Sequence, residues 1–314
     1  RRLLVRQRCR LQRGAMAEDS AIKPAGRTVK VWNDSLFKQL RLSIGVPDTF
    51  IDKGWDFENF KDGGGKGGGL MAFVGSHFVV KELSEGDHSV LLDITRSYYK
   101  HLTTGETRLC YFLMHFQDVL TGRKFVVMRN EVGSGSVSYL YDLKGCADDK
   151  TLIANGRSVK AVHKRIWNIC MWCGQCTWTP ERVTYYEGKV AAKRVRFALT
   201  GKQREQVLSA IKRDTEWLAQ ENLMDYSLLV AVKRGSPGTP TNVPCGQRPL
   251  VRMERDGSET AIYVSIIDFL QRWGPTKAIA NWIKVLERNK ATIKPEPYAE
   301  RFALHFQDTF KAVE

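Results

Sequence analysis

The chain has 314 residues, 43% hydrophobic and 26% charged, enough apolar material for one large domain or two lobes. Its formal net charge of +15 calls for an anionic partner: nucleic acid, an acidic membrane face or phosphorylated substrates. No run approaches the roughly 18 apolar residues of a membrane span, and seven unevenly spaced cysteines exclude a secreted disulfide framework, so a reducing, intracellular setting is expected.

Residues 1–27 stand apart. Arg1 to Arg13 holds no acid. It reads as a basic membrane-surface or targeting helix, or as sequence foreign to a protein that starts at Met16. Either way it inflates the net charge. Ordered structure is expected from Thr28. Gly63-Gly64-Gly65-Lys66-Gly67-Gly68-Gly69 precedes two apolar runs, Leu70 to Val74 and His77 to Leu83. Gly75-Ser76 between the runs predicts a hairpin with a type II′ turn, because Gly supplies the positive φ at the first turn position. Glycines entering a strand let backbone amides approach phosphate oxygens, although so dense a tract also serves as a flexible linker. It is not a Walker A loop, since Gly67 and not Ser or Thr follows Lys66. Lys81 lies in the second strand of the hairpin, where burying a cation is costly without an anionic partner.

Ser89 to Leu102 has the apolar spacing of a helix, and Arg108 to Phe116 and Lys124 to Met128 read as strands. In Tyr141-Asp142-Leu143-Lys144-Gly145, Asp142 and Lys144 share one strand face, where they could pair with each other. Cys170, Cys173 and Cys176 have the spacing of a thiolate metal site, with His163 or Cys146 as a fourth ligand, or they are a fortuitous cluster. His163-Lys164-Arg165, Lys189, Lys193-Arg194 and Arg196 make the middle of the chain basic. Facing anionic lipid, each such group is worth roughly 1 kcal/mol. Val207, Ile211 and Leu218, with Leu208 beside them, mark an amphipathic helix that ends near Asn222, a residue tolerant of the left-handed conformation. Asp225 follows, then an apolar run that reads as a buried strand. A carboxylate held between a packed helix and a packed strand can orient a hydroxyl and accept its proton, or simply turn the chain. Lys233 to Leu250 reads as a flexible loop. Ala261 to Ile267 is a second buried run, closed by Asp268, an oxygen donor suited to Mg²⁺. Lys277 to Leu286 is amphipathic, and Tyr298 to Phe302 with Phe306 and Phe310 predicts a last helix.

Leu218-Ala219-Gln220, then Asn222-Leu223-Met224-Asp225-Tyr226-Ser227-Leu228-Leu229-Val230, resembles the signature of the phosphatidylinositol phosphate kinases. Tyr141 to Gly145 and Ile266-Ile267-Asp268-Phe269-Leu270 are similar to two further motifs of that family, and they come in family order. The likeness runs from about Phe57 to Phe310. It implies an α+β, two-lobed kinase-like fold, with an antiparallel-sheet small lobe over residues 28–130 and a mixed α/β large lobe over 131–314. It implies ATP between the lobes, held by Gly65, Lys66, Gly67, Gly68 and Gly69, by Lys81, and at the hinge by backbone groups around Met128 and Asn130. Asp87 or Glu85 would be the acidic partner of Lys81. Asp225 would be the catalytic base, Lys144 would neutralise charge, and Asp268 would hold Mg²⁺. Lys277, Ala280 and Lys284 fall in the family's specificity segment.

The chain departs from the family at several points. Cys146 replaces the usual Ser, Val230 stands where an Asn usually follows the catalytic Asp, and Ala278 interrupts the usual lysine pair. Ala280 resembles kinases of the 5-phosphate and not those of the 4-phosphate, which leaves the regiochemistry open. The resemblance thus implies transfer of the γ-phosphate of ATP to a phosphatidylinositol monophosphate, giving phosphatidylinositol 4,5-bisphosphate. The protein would sit peripherally on the cytoplasmic face of an anionic membrane. Nucleic acid is not expected as a partner, and homodimers occur in some branches of the family. Two alternatives are a catalytically silent phosphoinositide-binding protein of the same fold and a basic zinc- or nucleic-acid-binding protein.

Overall fold

The computed structural model describes residues 17–53, 55–57, 60–62, 70–133, 135–162, 178–235, 249–253, 258–274 and 293–313. Chain contacts divide it into two units: the first runs to Glu106 and resumes over Cys110–Ser134, and the second takes Thr107–Leu109 and nearly all of the chain beyond Ser134.

Alternating apolar runs build the first unit's sheet. Its strands are β1 (Glu18–Asp19), β2 (Val29–Val31), β3 (Lys61–Asp62), β4 (Leu70–Val74), β5 (Phe78–Glu82), β6 (Phe112–Asp118) and β7 (Lys124–Arg129). They pair antiparallel throughout in the order β1-β2-β6-β7-β5-β4-β3. Val80, Phe116, Phe125 and Val127 meet in a core with no exposure, each such side chain contributing about 1.5–3 kcal/mol relative to water. Helix α1 (Asp34–Ser43) packs on β6, and α2 (Glu85–Thr103) packs on α1. Arg41 of α1 is fully buried. Its guanidinium donates to Asp34 at 3.0 Å, Asp48 at 3.0 Å and the Leu113 carbonyl at 2.8 Å, which satisfies the charge.

The second unit holds α3 (Pro180–Arg194), α4 (Gly201–Gln220) and α5 (Pro295–Thr309). Its main sheet joins β8 (Tyr139–Leu143), β9 (Lys150–Ala154), β10 (Arg157–Ser158), β13 (Ser227–Gly235), β14 (Leu250–Met253) and β15 (Glu259–Ile267), in the antiparallel order β10-β9-β8-β13-β15-β14. Two small sheets complete it: β11 (Phe197–Leu199) with β17 (Phe310–Ala312), parallel, and β12 (Leu223–Met224) with β16 (Gln271–Arg272), antiparallel. The α+β class and the antiparallel first sheet match the expectation.

Several sequence-based boundaries move. The β4–β5 hairpin pairs Val74 with Phe78, so its loop is three residues, Gly75 to His77, and not the two-residue II′ turn. Gly75 does take the positive φ, +58°. The His77 carbonyl accepts the Asn130 amide at 2.7 Å, which ties the end of this loop to the residue after β7. The strand expected from Arg108 begins at Phe112. Residues 107–109 instead turn to the second unit, where Asp214 accepts the Arg108 amide at 2.6 Å and the Arg108 carbonyl accepts from Ile266 at 2.6 Å. The loop expected from Lys233 starts later, because β13 stays paired with β15 as far as Gly235. Lys189, expected on the basic surface, is buried on α3 with its Nζ 5.7 Å from the centre of the Tyr185 ring. Lys193, Arg194 and Arg196 are exposed as expected.

Candidate active site

Helix α4 starts from a capping box, in which the Thr200 hydroxyl and the Gln203 side chain each accept the other residue's amide. It stops at Glu221, and Asn222 follows with φ +62°, the left-handed stop its side chain tolerates. From there two chain segments run antiparallel, and both break at the same level. Met224 pairs with Gln271, and Ser227 pairs with Ile267. Between those pairs lie Asp225 on one segment and Asp268 on the other. Asp225 has φ +65° and Asp268 has φ +57°. A non-glycine residue held there costs on the order of 1 kcal/mol or more, and Asp is among the few types that accept it. The double kink is clamped on one side: Trp273 donates its amide to the Asn222 carbonyl at 2.9 Å, and Asn222 Nδ2 donates to the Trp273 carbonyl at 3.0 Å.

Aromatic packing braces the kink from behind. Tyr226 is buried, and its carbonyl accepts the Tyr298 hydroxyl of α5. Its ring meets Tyr298 edge-on at 4.6 Å and Phe302 at 4.9 Å. The expected last helix is therefore a core helix whose packing holds Asp225 in place.

Lys144 reaches the same point from β8. Leu143 pairs with Leu228, so the next residue arrives beside the start of β13. Lys144 Nζ lies 2.5 Å from Asp225 Oδ1 and 2.6 Å from the Asp225 carbonyl oxygen. The ion pair considered between Asp142 and Lys144 does not form. Asp142 is taken by Lys150, at 2.9 Å, because Lys144 lies past the strand end and turns to the kink. Burial alone would lower the Lys150 pKa, but the nearby Asp142 and Asp268 carboxylates more than offset it and raise it. Lys144, Asp225, Asp268, Asp142 and Lys150 thus gather at one end of one sheet. Sequence reasoning missed Lys150. The run Asp148-Asp149-Lys150 after a glycine was its one available signal.

The donor set suits Mg²⁺. That ion keeps water and substrate oxygens and needs only one or two protein carboxylates. Asp268 is exposed at the kink. Asp142 Oδ1 is buried without a hydrogen-bond partner. Among the described residues no cluster of three His, Cys, Asp or Glu could form a dedicated metal cage. Cys146, weighed as a fourth zinc ligand, is buried, and burial pushes its thiol up to about 11, away from the thiolate that zinc needs. Cys170, Cys173, Cys176 and His163 lie outside the described residues.

The first unit carries the remaining expected groups. Lys81 sits half-buried on β5 between Met71 and Val126. Glu85, the alternative partner, has its carboxylate on Lys124 Nζ at 2.5 Å. Asp87 lies in the first turn of α2, its amide donated to the Ser84 cap at 3.1 Å. Met128 is on β7, paired with Val79. Asn130 has both backbone groups engaged, the amide with His77 at 2.7 Å and the carbonyl with Gly133 at 3.2 Å. Its side chain donates to the Ser76 carbonyl at 2.9 Å. A backbone contact to adenine at Asn130 could use only the second lone pair of its carbonyl. Gly65 to Gly69 with Lys66, and Lys277, Ala280 and Lys284, lie outside the described residues.

An acid on a kinked segment, an ammonium against it and a second acid at the matching kink thus lie together at one sheet end. The family model described as Phosphatidylinositol-4-phosphate 5-Kinase matches residues 61–249 and 241–309. The chain belongs to that family. It is 30% identical over 160 residues to phosphatidylinositol 4-phosphate 5-kinase 1 of Arabidopsis thaliana, covering 49% of this chain and 18% of that protein. It is 19% identical over 270 residues to the 1-phosphatidylinositol 3-phosphate 5-kinase of Saccharomyces cerevisiae, covering 79% of this chain and 10% of that protein. Phosphatidylinositol 5-phosphate 4-kinase type-2 alpha of Sus scrofa is 22% identical over 340 residues, with 89% of this chain and 77% of that protein covered. The chain thus spans a small fraction of the first two of these relatives. Among the described residues no helix is long and apolar enough to cross a membrane.

Proposed function

We propose that the protein is a lipid kinase that transfers the γ-phosphate of ATP to an inositol hydroxyl of a phosphatidylinositol monophosphate, making phosphatidylinositol 4,5-bisphosphate. The observation that carries this is the contact of Lys144 Nζ with Asp225 Oδ1, 2.5 Å, at a left-handed residue on the sheet end that also bears Asp268. Asp225 orients the attacking hydroxyl and takes its proton. Lys144 keeps that carboxylate in place and offsets negative charge as the phosphoryl group moves. Lys81 holds the phosphates of ATP, helped by Lys66 and the amides of Gly65, Gly67, Gly68 and Gly69, and the chain near Met128 and Asn130 meets adenine. Asp268 would hold Mg²⁺, which neutralises phosphate charge when bound. Lys277, Ala280 and Lys284 select the headgroup. The basic surface formed by groups such as Lys193, Arg194 and Arg196 favours a peripheral place on the anionic cytoplasmic leaflet.

The three relatives are named for 3-, 4- and 5-phosphorylated lipids, so the assay must offer all three. Purified protein is given labelled ATP, Mg²⁺ and vesicles carrying one monophosphorylated phosphatidylinositol at a time, and the product is mapped. Transfer to the 4- or the 5-phosphate that yields the 4,5-bisphosphate is the expected result. Vesicle binding without transfer to any of the three would replace the proposal with a silent phosphoinositide-binding protein.

A further inference from the structure

Behind Lys144 lies a carboxylate that the proposed chemistry does not use. Asp149 is 1% exposed. Its Oδ1 accepts the backbone amide of Lys144 at 2.6 Å and that of Cys146 at 3.2 Å, and the Gly145 amide between them also faces its carboxylate. Three successive amides wrapped on one anion form a nest, which fixes the backbone that carries the lysine. The bend depends on Gly145. It has φ +67°, and a Cβ there would lie 3.0 Å from Cβ of His305 on α5. His305 also turns its Nε2 to within 3.9 Å of Asp149 Oδ2. The loop between β8 and β9 is thus gripped from inside by Asp149 and from outside by His305. Its one long side chain facing the kink is Lys144.

We propose that Asp149 and His305 are positioning residues for phosphoryl transfer: they set where Lys144 delivers its ammonium to Asp225. The inference rests on the reading of Lys144 and Asp225 as the reacting pair. An isolated buried carboxylate is costly to ionise, and no structural ion pair of good geometry offsets the cost here, since His305 stands off at 3.9 Å. The compensation is the nest, and what the nest fixes is the lysine backbone. Burial raises the Asp149 pKa and lowers that of His305, so each resists the charge that the other would favour. The charged groups around His305 are Asp149, Asp308, Arg196 and Arg301.

The test compares Asp149→Asn, Asp149→Glu and His305→Gln with Lys144→Met, using full-length protein, ATP and lipid vesicles. Active fraction is set by thermal unfolding before each rate is read. Asp149→Asn should lower kcat by about 10- to 100-fold, the scale of a misplaced reacting group, while KM for ATP stays within about threefold. His305→Gln should lower kcat less, and both variants should shift the acid limb of the kcat–pH profile. Asp149→Glu, which keeps the anion, should recover part of the rate lost in Asp149→Asn. A merely structural role would lower the folded fraction and leave kcat per folded molecule and the pH profile superimposable on the parent, and that result overturns the proposal. Lys144→Met separates the two claims. If it is inactive while Asp149→Asn retains full kcat, positioning is wrong and the reacting pair stands. If it retains full kcat, the pair is wrong and the positioning proposal falls with it.

Discussion

Two close ion pairs of low exposure, one from each unit, are built differently. In the first unit Arg129 and Glu131 are 4% and 3% exposed and meet fork to fork, at 3.0 and 2.9 Å. Glu131 also accepts the Tyr111 amide at 3.2 Å, and the guanidinium lies 4.3 Å from the centre of the Tyr111 ring. In the second unit Lys144 and Asp225 are 18% and 21% exposed, joined through a single ammonium, with Asp225 on a left-handed backbone. The first pair spends its hydrogen-bonding capacity inside the fold. The second leaves carboxylate surface open and stores backbone strain. The difference separates an ion pair that holds a chain together from one that is ready to meet a substrate.

The strongest test of that contrast is Asp225→Asn. It removes the proposed base and keeps the shape, so kcat for lipid phosphorylation should fall by about 10²–10⁴-fold. Vesicle binding and cooperative unfolding should persist. A rate near that of the parent protein would mean that another group takes the proton.

Glu131→Gln makes the opposite prediction. It leaves the Arg129 charge buried without its counter-ion, which costs about 3–5 kcal/mol of stability. Denaturant unfolding should show this directly, and the rate per folded molecule should hold. A loss below about 1 kcal/mol would show that the pair is not the internal brace its geometry describes.

The two sites also differ in how far the sequence revealed them. The apolar run closed by Asp268 and the helix before Asn222 were legible, because burial imposes a period on both. Asp225 was legible as an acid between a helix and a strand. Its matching kink with Asp268 was not, because φ +65° and φ +57° follow from pairing on both sides of the break, which joins Ser227 to Ile267 and Met224 to Gln271, far apart in the chain. Nor was the exchange of partners by which Lys150 takes Asp142 and frees Lys144 for Asp225. Strand alternation put Asp142 and Lys144 on one face, but β8 ends at Leu143 and the rule ends with it. Arg129 and Glu131, two residues apart at a strand end, gave no sign of a buried fork.

A pH-dependent effect on stability should appear in the first unit. His88 Nδ1 and His115 Nε2 are 2.9 Å apart, beside Trp32, and His115 is fully buried. Burial lowers the pKa of both, and Lys124 adds to it; Glu85 opposes it at His88. The unfolded chain therefore binds protons that the folded one refuses. Stability contributed by the pair is complete above the ordinary histidine value near 6.5 and is lost as pH falls below it. Melting temperature followed from pH 8 to pH 5 should decline in that window, and the double variant His88→Gln, His115→Gln should flatten the curve. An unchanged slope would assign the titration elsewhere.

The smallest effect is expected at a contact shorter than that of the buried fork. Lys124 Nζ and Glu85 Oε1 lie 2.5 Å apart, closer than Arg129 and Glu131, yet the Glu85 side chain is 82% exposed. Water and salt screen such a pair, and two long side chains lose freedom in making it, so Glu85→Gln should change stability by less than about 0.5 kcal/mol. The same variant also bears on Lys81. With its carboxylate on Lys124, Glu85 is not expected to hold Lys81, and KM for ATP should not move. An increase of about tenfold in KM would return Glu85 to the nucleotide site. A stability loss comparable to that of Glu131→Gln would mean that distance, and not burial, decides what an ion pair contributes here.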